Sequence, residues 1–73
     1  MIIFHAQGFN TVNVCFLDQM FQSEADAIEE VHHTLGGHWK RGEEVTVRRT
    51  VDGKWRWACE DGSRYVIEPR TVH

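Results

Sequence analysis

Two Asp-Gly steps, Asp52-Gly53 and Asp61-Gly62, lie nine residues apart, each between runs of alternating β-favouring residues. Asp-Gly supports a tight hairpin, either with a two-residue turn or with a three-residue loop closed by a glycine bulge. The two options differ by one residue of register, and a one-residue slip moves every side chain to the other face of the sheet. A two-residue turn at Asp52-Gly53 pairs Val47 with Ala58 and Arg48 with Trp57, so valines and tryptophans face opposite ways. A three-residue loop, Val51-Asp52-Gly53, pairs Val45 with Cys59, Val47 with Trp57 and Arg48 with Arg56, and all the apolar residues then share a face. The loop Glu60-Asp61-Gly62 does the same for the second hairpin. It sets Trp57 against Tyr65 and Trp55 against Ile67, with Lys54 meeting Glu68 on the other side. The last third of the chain is thus read as a three-stranded meander. Its core face carries Val45, Val47, Trp55, Trp57, Cys59, Tyr65 and Ile67.

Upstream, Ser23 is a good helix N-cap, and Glu24, Asp26, Glu29 and Glu30 follow toward the positive end of the helix dipole. Ala25, Ile28, Val31 or His32, and Leu35 recur at helical spacing and form the expected buried stripe. Gly36-Gly37 is expected to end the helix in a left-handed cap. Asp26, Glu29, Glu30 and His33 then face outward, which is also the ordinary composition of a solvated helix face. Ile2 to Ala6 and Val12 to Leu17 read as a first hairpin. A loop from Gln7 to Thr11 would pair Ala6 with Val12, Phe4 with Val14 and Ile2 with Phe16, leaving Ile3, His5, Asn13, Cys15 and Leu17 on the other face. The expected fold is α+β with the order ββαβββ: a five-stranded, mostly antiparallel sheet with one helix on one face, in a single domain spanning residues 1–73.

Charge sharpens this picture. Residues 1–39 contain five acids and no Lys or Arg, whereas residues 40–73 contain all eight basic residues and six acids; the net charge is −3. The basic half places Thr46, Arg48, Thr50, Lys54, Arg56, Ala58, Arg64, Val66 and Glu68 on the face that one helix cannot cover. Arg48 stands opposite Arg56, a like-charge pair that is mildly destabilising unless something neutralises it. The first hairpin adds Ile3, Cys15 and Leu17 beside the stripe. Arginine with apolar neighbours is an interface composition, although long Arg stems also cover an ordinary solvated face.

Several function classes lose support at this stage. No run is long enough to span a bilayer, and the apolar start lacks the positive region of a signal peptide. The reading is a soluble protein of the cytoplasm. Cys15 and Cys59 read as reduced, since small disulfide-held domains carry more cysteines. The five histidines show no zinc-ligand spacing; protonating all of them below about pH 6 would take the net charge from −3 to +2. No phosphate-binding, dinucleotide-binding or nucleophile-elbow motif occurs, and Glu43-Glu44 has no pocket around it, so neither an enzyme nor a cofactor is expected. Direct nucleic-acid binding by Arg48, Lys54, Arg56 and Arg64 is disfavoured by net charge, and Trp39 alone among the tryptophans is free to stack.

The runs Arg49-Thr50-Val51-Asp52-Gly53-Lys54-Trp55 and Glu60-Asp61-Gly62-Ser63-Arg64-Tyr65-Val66 resemble a small phage-encoded anti-CRISPR protein of the type I-F inhibitor group. That group member also has a strand, a helix and then a strand–turn–strand, with a Trp after the first turn glycine and an Asp-Gly turn before an Arg-aromatic-Val. The similarity covers about half of the chain, mainly Glu43 to Val66, plus the helix placement. It implies a non-catalytic inhibitor that binds Cas proteins of a type I surveillance complex in the bacterial host cytoplasm and blocks target-DNA binding or nuclease recruitment. Two surfaces suit that role. One is the acidic helix face, Asp26, Glu29 and Glu30, as a phosphate substitute; the other is the basic sheet face, Arg48, Lys54, Arg56 and Arg64. The alternatives are a nucleic-acid-binding module and a subunit that homodimerises through the open sheet face or an edge strand.

Overall fold

In the computed structural model, which describes residues 1–38 and 44–72, the elements run β1 (Ile2–Phe9), β2 (Cys15–Phe21), α1 (Glu24–His38), β3 (Val45–Arg49), β4 (Trp55–Cys59) and β5 (Arg64–Thr71). The five strands form one sheet in the order β2-β1-β5-β4-β3, with every neighbouring pair antiparallel. The first and last strands pair along eight positions, from Ile2↔Thr71 to Phe9↔Arg64. That long-range pairing holds the two hairpins in one sheet, and α1 lies over β1, β2 and β5. The architecture is the expected α+β arrangement.

Both Asp-Gly hairpins adopt the three-residue loop. Thr50 N–H donates to Lys54 O at 2.8 Å and Gly53 N–H to Thr50 O at 3.0 Å. Cys59 N–H donates to Ser63 O at 2.9 Å and Gly62 N–H to Cys59 O at 3.0 Å. Gly53 and Gly62 have φ of 89° and 95°, the left-handed region in which a Cβ is strained. The pairs Val45↔Cys59, Val47↔Trp57, Arg48↔Arg56, Trp57↔Tyr65 and Trp55↔Ile67 all form. A Cβ on Gly62 would meet nothing closer than Thr11 Cγ2 at 4.0 Å, so Gly62→Ala tests backbone conformation alone. It is expected to cost about 1–2 kcal/mol in urea unfolding, whereas Gly62→Asn, which tolerates φ above zero, should cost clearly less.

Inside the sheet, Trp57, Tyr65, Ile67, Ala6 and Leu17 are buried against Ala27 and Val31 of α1. Trp55 and Trp57 stack at 5.9 Å between ring centroids, and His32 meets Trp57 edge-on at 5.8 Å. Burial pushes the Tyr65 phenol up to about 12, with the nearby charges of Cys59 and Asp61 adding to it. A raised acid pKa means that the folded state holds its proton longer. This group's contribution to stability is therefore full below the ordinary value of 10.0 and is lost as pH rises through about 12. Ultraviolet titration should show the phenol ionising well above its ordinary range in the folded protein.

The first hairpin differs from expectation. β1 continues through Gly8 to Phe9, and the turn falls at Asn10–Val14, giving Phe4↔Phe21, Ala6↔Gln19 and Gly8↔Leu17. Asparagine chemistry decides this. Asn10 Oδ1 accepts from Val12 N–H at 3.0 Å and Val14 N–H at 2.9 Å, and Asn13 takes the left-handed conformation at φ 66°. Gly8 is a strand residue because the Tyr65 ring lies over it; a Cβ there would sit 3.0 Å from Tyr65 Cδ1. The later register turns Leu17 into the core instead of onto the open face, and Val12 and Val14 are exposed in the turn. Between Gly8 and Phe9 the register against β2 shifts from Leu17 to Cys15, a bulge at Phe16. Phe16 meets Tyr65 edge-on at 5.6 Å.

Helix α1 is capped as read, with Ser23 Oγ accepting from Asp26 N–H at 3.0 Å. Two details are corrected. Ala27, not Ala25, is the buried alanine, and Ala25 is exposed. The helix also runs through Gly36-Gly37 to His38, with neither glycine at positive φ. Trp39 and Glu43, invoked above for stacking and as an acid pair, lie outside the described residues.

Candidate functional site: the uncovered sheet face

The face opposite α1 is divided by charge. On its β2–β1 side the register brings Asp18, His5 and Glu68 together. His5 Nε2 is hydrogen-bonded to Asp18 Oδ1, and the imidazole is buried although it stands on the uncovered face. Sequence reading did not pair them, because it placed the first turn too early; once Gly8 is extended, His5 and Asp18 share a face.

On the β4–β3 side the surface is basic. Arg48 lies directly opposite Arg56, and with Thr46 and Ala58 they line a shallow depression of about 360 Å³. Ala58, opposite Thr46, contributes only a methyl group to its floor. Of the four basic residues assigned to this face, two are already engaged. The Lys54 ammonium lies 3.9 Å from Asp52 and 4.0 Å from Glu68. Arg64 packs its guanidinium 4.6 Å from the Phe9 ring centroid and donates to Asn13 Oδ1. Arg48 and Arg56 have no carboxylate within ion-pair distance among the described residues. Those two are therefore the members of the basic face that have neither an ion-pair partner nor an aromatic ring contact among the described residues. Arg56→Thr, which removes the like-charge contact and supplies a β-branched side chain, should raise stability by about 0.5 kcal/mol, with the gain shrinking as salt is added. Thermal unfolding at low and high salt measures both.

The acidic residues of α1 stand on the other side of the molecule. Asp26 and Glu29 are exposed, while Glu30 is half-buried and accepts a 3.5 Å hydrogen bond from Thr34 Oγ1. The two candidate surfaces thus point in opposite directions, with the sheet and the core between them.

Other chemistry is sparse. No cluster of three or more His, Cys, Asp or Glu among the described residues is arranged to hold a metal. Cys15 and Cys59 are both free thiols. No described helix is long and apolar enough to cross a membrane. Comparison with protein-family models, curated proteins and solved structures finds no match for the chain.

Proposed function

We propose that the chain is a non-catalytic binding protein that inhibits a type I CRISPR surveillance complex by occlusion, and that it meets the complex with the basic end of its uncovered sheet face. The partner class comes from the resemblance of the two Asp-Gly hairpins to the type I-F anti-CRISPR group. The observation that carries the choice of surface is the Arg48–Arg56 pair. Two guanidinium groups face each other on an exposed sheet, uncompensated among the described residues, at a cost to the free protein. An anionic surface of the partner, a carboxylate cluster or a guide-RNA backbone, removes that cost on binding and accepts bidentate hydrogen bonds from both groups. The depression over Ala58 gives such a group room to enter. Independent nucleic-acid binding is less well supported: Trp57 and Tyr65 are buried and Trp55 is half-buried on the helix side, so no tryptophan flanks the arginines as a stacking platform among the described residues.

The test uses a purified type I surveillance complex and free DNA and RNA in parallel. The protein should be retained by the complex and should leave free nucleic acid unshifted. Strong, steeply salt-dependent binding to free DNA or RNA, without retention by the complex, would assign it to the nucleic-acid-binding class instead.

A further inference from the structure

The outer edge of the sheet at β3 carries no further strand among the described residues. Thr50 N–H donates to Lys54 O at 2.8 Å and Glu60 N–H donates to Glu44 O at 3.1 Å. In an antiparallel ladder, hydrogen-bonded and non-bonded positions alternate. Glu44, Thr46, Arg48 and Thr50 therefore direct their backbone groups toward β4, and Val45, Val47 and Arg49 turn theirs outward. No described strand lies beyond β3 in the sheet. The opposite edge, β2, is interrupted by its bulge at Phe16 and is a poorer template.

Side chains along β3 add a register. On the helix side, Val47 is 50% exposed and borders an apolar groove of about 310 Å³ lined by His32, Leu35, Gly36, Val45 and Trp57. On the other side, Arg48 lacks a carboxylate, and Glu44, four residues earlier, is exposed with no ion pair among the described residues.

We propose that two copies associate through antiparallel β3 edges about a two-fold axis at Thr46. In that register Val45 of each copy exchanges both backbone hydrogen bonds with Val47 of the other, and the valines cover one another at the mouth of the groove. Thr46 faces its own counterpart, and Arg48 stands opposite Glu44 of the second copy. Moving the axis to Val47 keeps the backbone parity but sets Arg49 against Val45 and Arg48 against Thr46. Charge complementarity therefore selects the Thr46 axis. The interface is isologous and closed, so it yields a dimer rather than a filament. It joins two sheets into one, with both helices on the same side and the Arg56 side chains left free, so that the second copy and the anionic partner compete for Arg48.

Sedimentation across a concentration series tests this. The wild type should pass from 8.5 kDa to twice that mass. Arg48→Glu and Glu44→Arg, each of which sets like charges opposite one another twice per dimer, should each weaken association about tenfold. The double variant E44R/R48E should restore it, and Arg56→Gln, which puts no carboxylate opposite Arg48, should leave it within about twofold. Circular dichroism verifies that each variant remains folded. A monomer at every concentration, a dimer indifferent to both single reversals, or failure of the double variant to recover would each overturn the proposal. Because Arg56→Gln weakens partner binding while leaving Arg48 and the β3 edge as they are, either reading can fail without the other.

Discussion

Trp57→Ala lowers the unfolding free energy by about 3–5 kcal/mol, the usual cost of deleting a large buried aromatic side chain. Trp57 is 1% exposed at the centre of the core, stacked on Trp55, touched edge-on by His32 and paired across the sheet with Tyr65. A domain of this length has a total stability of roughly 4–11 kcal/mol, so the variant is largely unfolded at the lower end of that range. The indole Nε1 is buried without a hydrogen-bond partner among the described residues. Trp57→Phe removes that uncompensated group along with part of the ring volume, and is therefore expected to cost markedly less than the alanine change. Urea unfolding followed by circular dichroism measures both. A loss below about 1 kcal/mol for Trp57→Ala would mean that the core is not organised around this residue.

Arg48→Glu combined with Arg56→Glu abolishes partner binding, with an expected loss on the order of 100-fold or more in affinity. The physical argument is that both groups of the uncompensated basic pair change sign at once, so attraction to an anionic surface becomes repulsion. Folding is not the cause of the loss. Both side chains are exposed, and the new pair is again like-charged, so the free protein exchanges one mild cross-strand repulsion for another. Binding calorimetry against the purified complex should show no heat for the variant, while its unfolding midpoint stays close to that of the wild type. Single reversals should fall between wild type and double variant, and Arg56→Gln should lose affinity without any change in association state.

The C-terminal meander was legible in the sequence because three signals agreed: Asp-Gly turns, alternation, and the requirement that Val47 and Trp57 share a face. Only one register satisfies all of them, and the like-charge pair Arg48–Arg56 follows from it. The helix was legible for a similar reason, since Ser23 and the acidic first turn mark its start. Its far end was misread because glycine permits a left-handed cap without requiring one. The first hairpin was misread because Gly8 looked like a turn residue. Its glycine serves a long-range need, the approach of the Tyr65 ring, which a local pattern does not reveal. Asn10 and Asn13 carried the true turn signal, and a preference for matching apolar pairs overrode it. The pairing of β1 with β5 was also outside the reach of periodicity, because it joins residues from opposite ends of the chain. Arg64 and Lys54 were correctly placed on the basic face, but their engagement by Phe9, Asn13, Asp52 and Glu68 depends on side-chain geometry.

The resulting division of surfaces is simple. The acids of α1 face one way, the Arg48–Arg56 pair faces the other, and the β3 edge is left open between them. The net charge of −3 describes neither surface.

The most direct measurement of the central claim is target-DNA binding by a purified type I surveillance complex in the presence of stoichiometric protein. The wild type and the helix variant D26K/E30K should block DNA binding equally, and R48E/R56E should leave it unimpaired. Full inhibition by R48E/R56E with none by D26K/E30K would move the contact to the helix, and no inhibition by the wild type would contradict the account altogether.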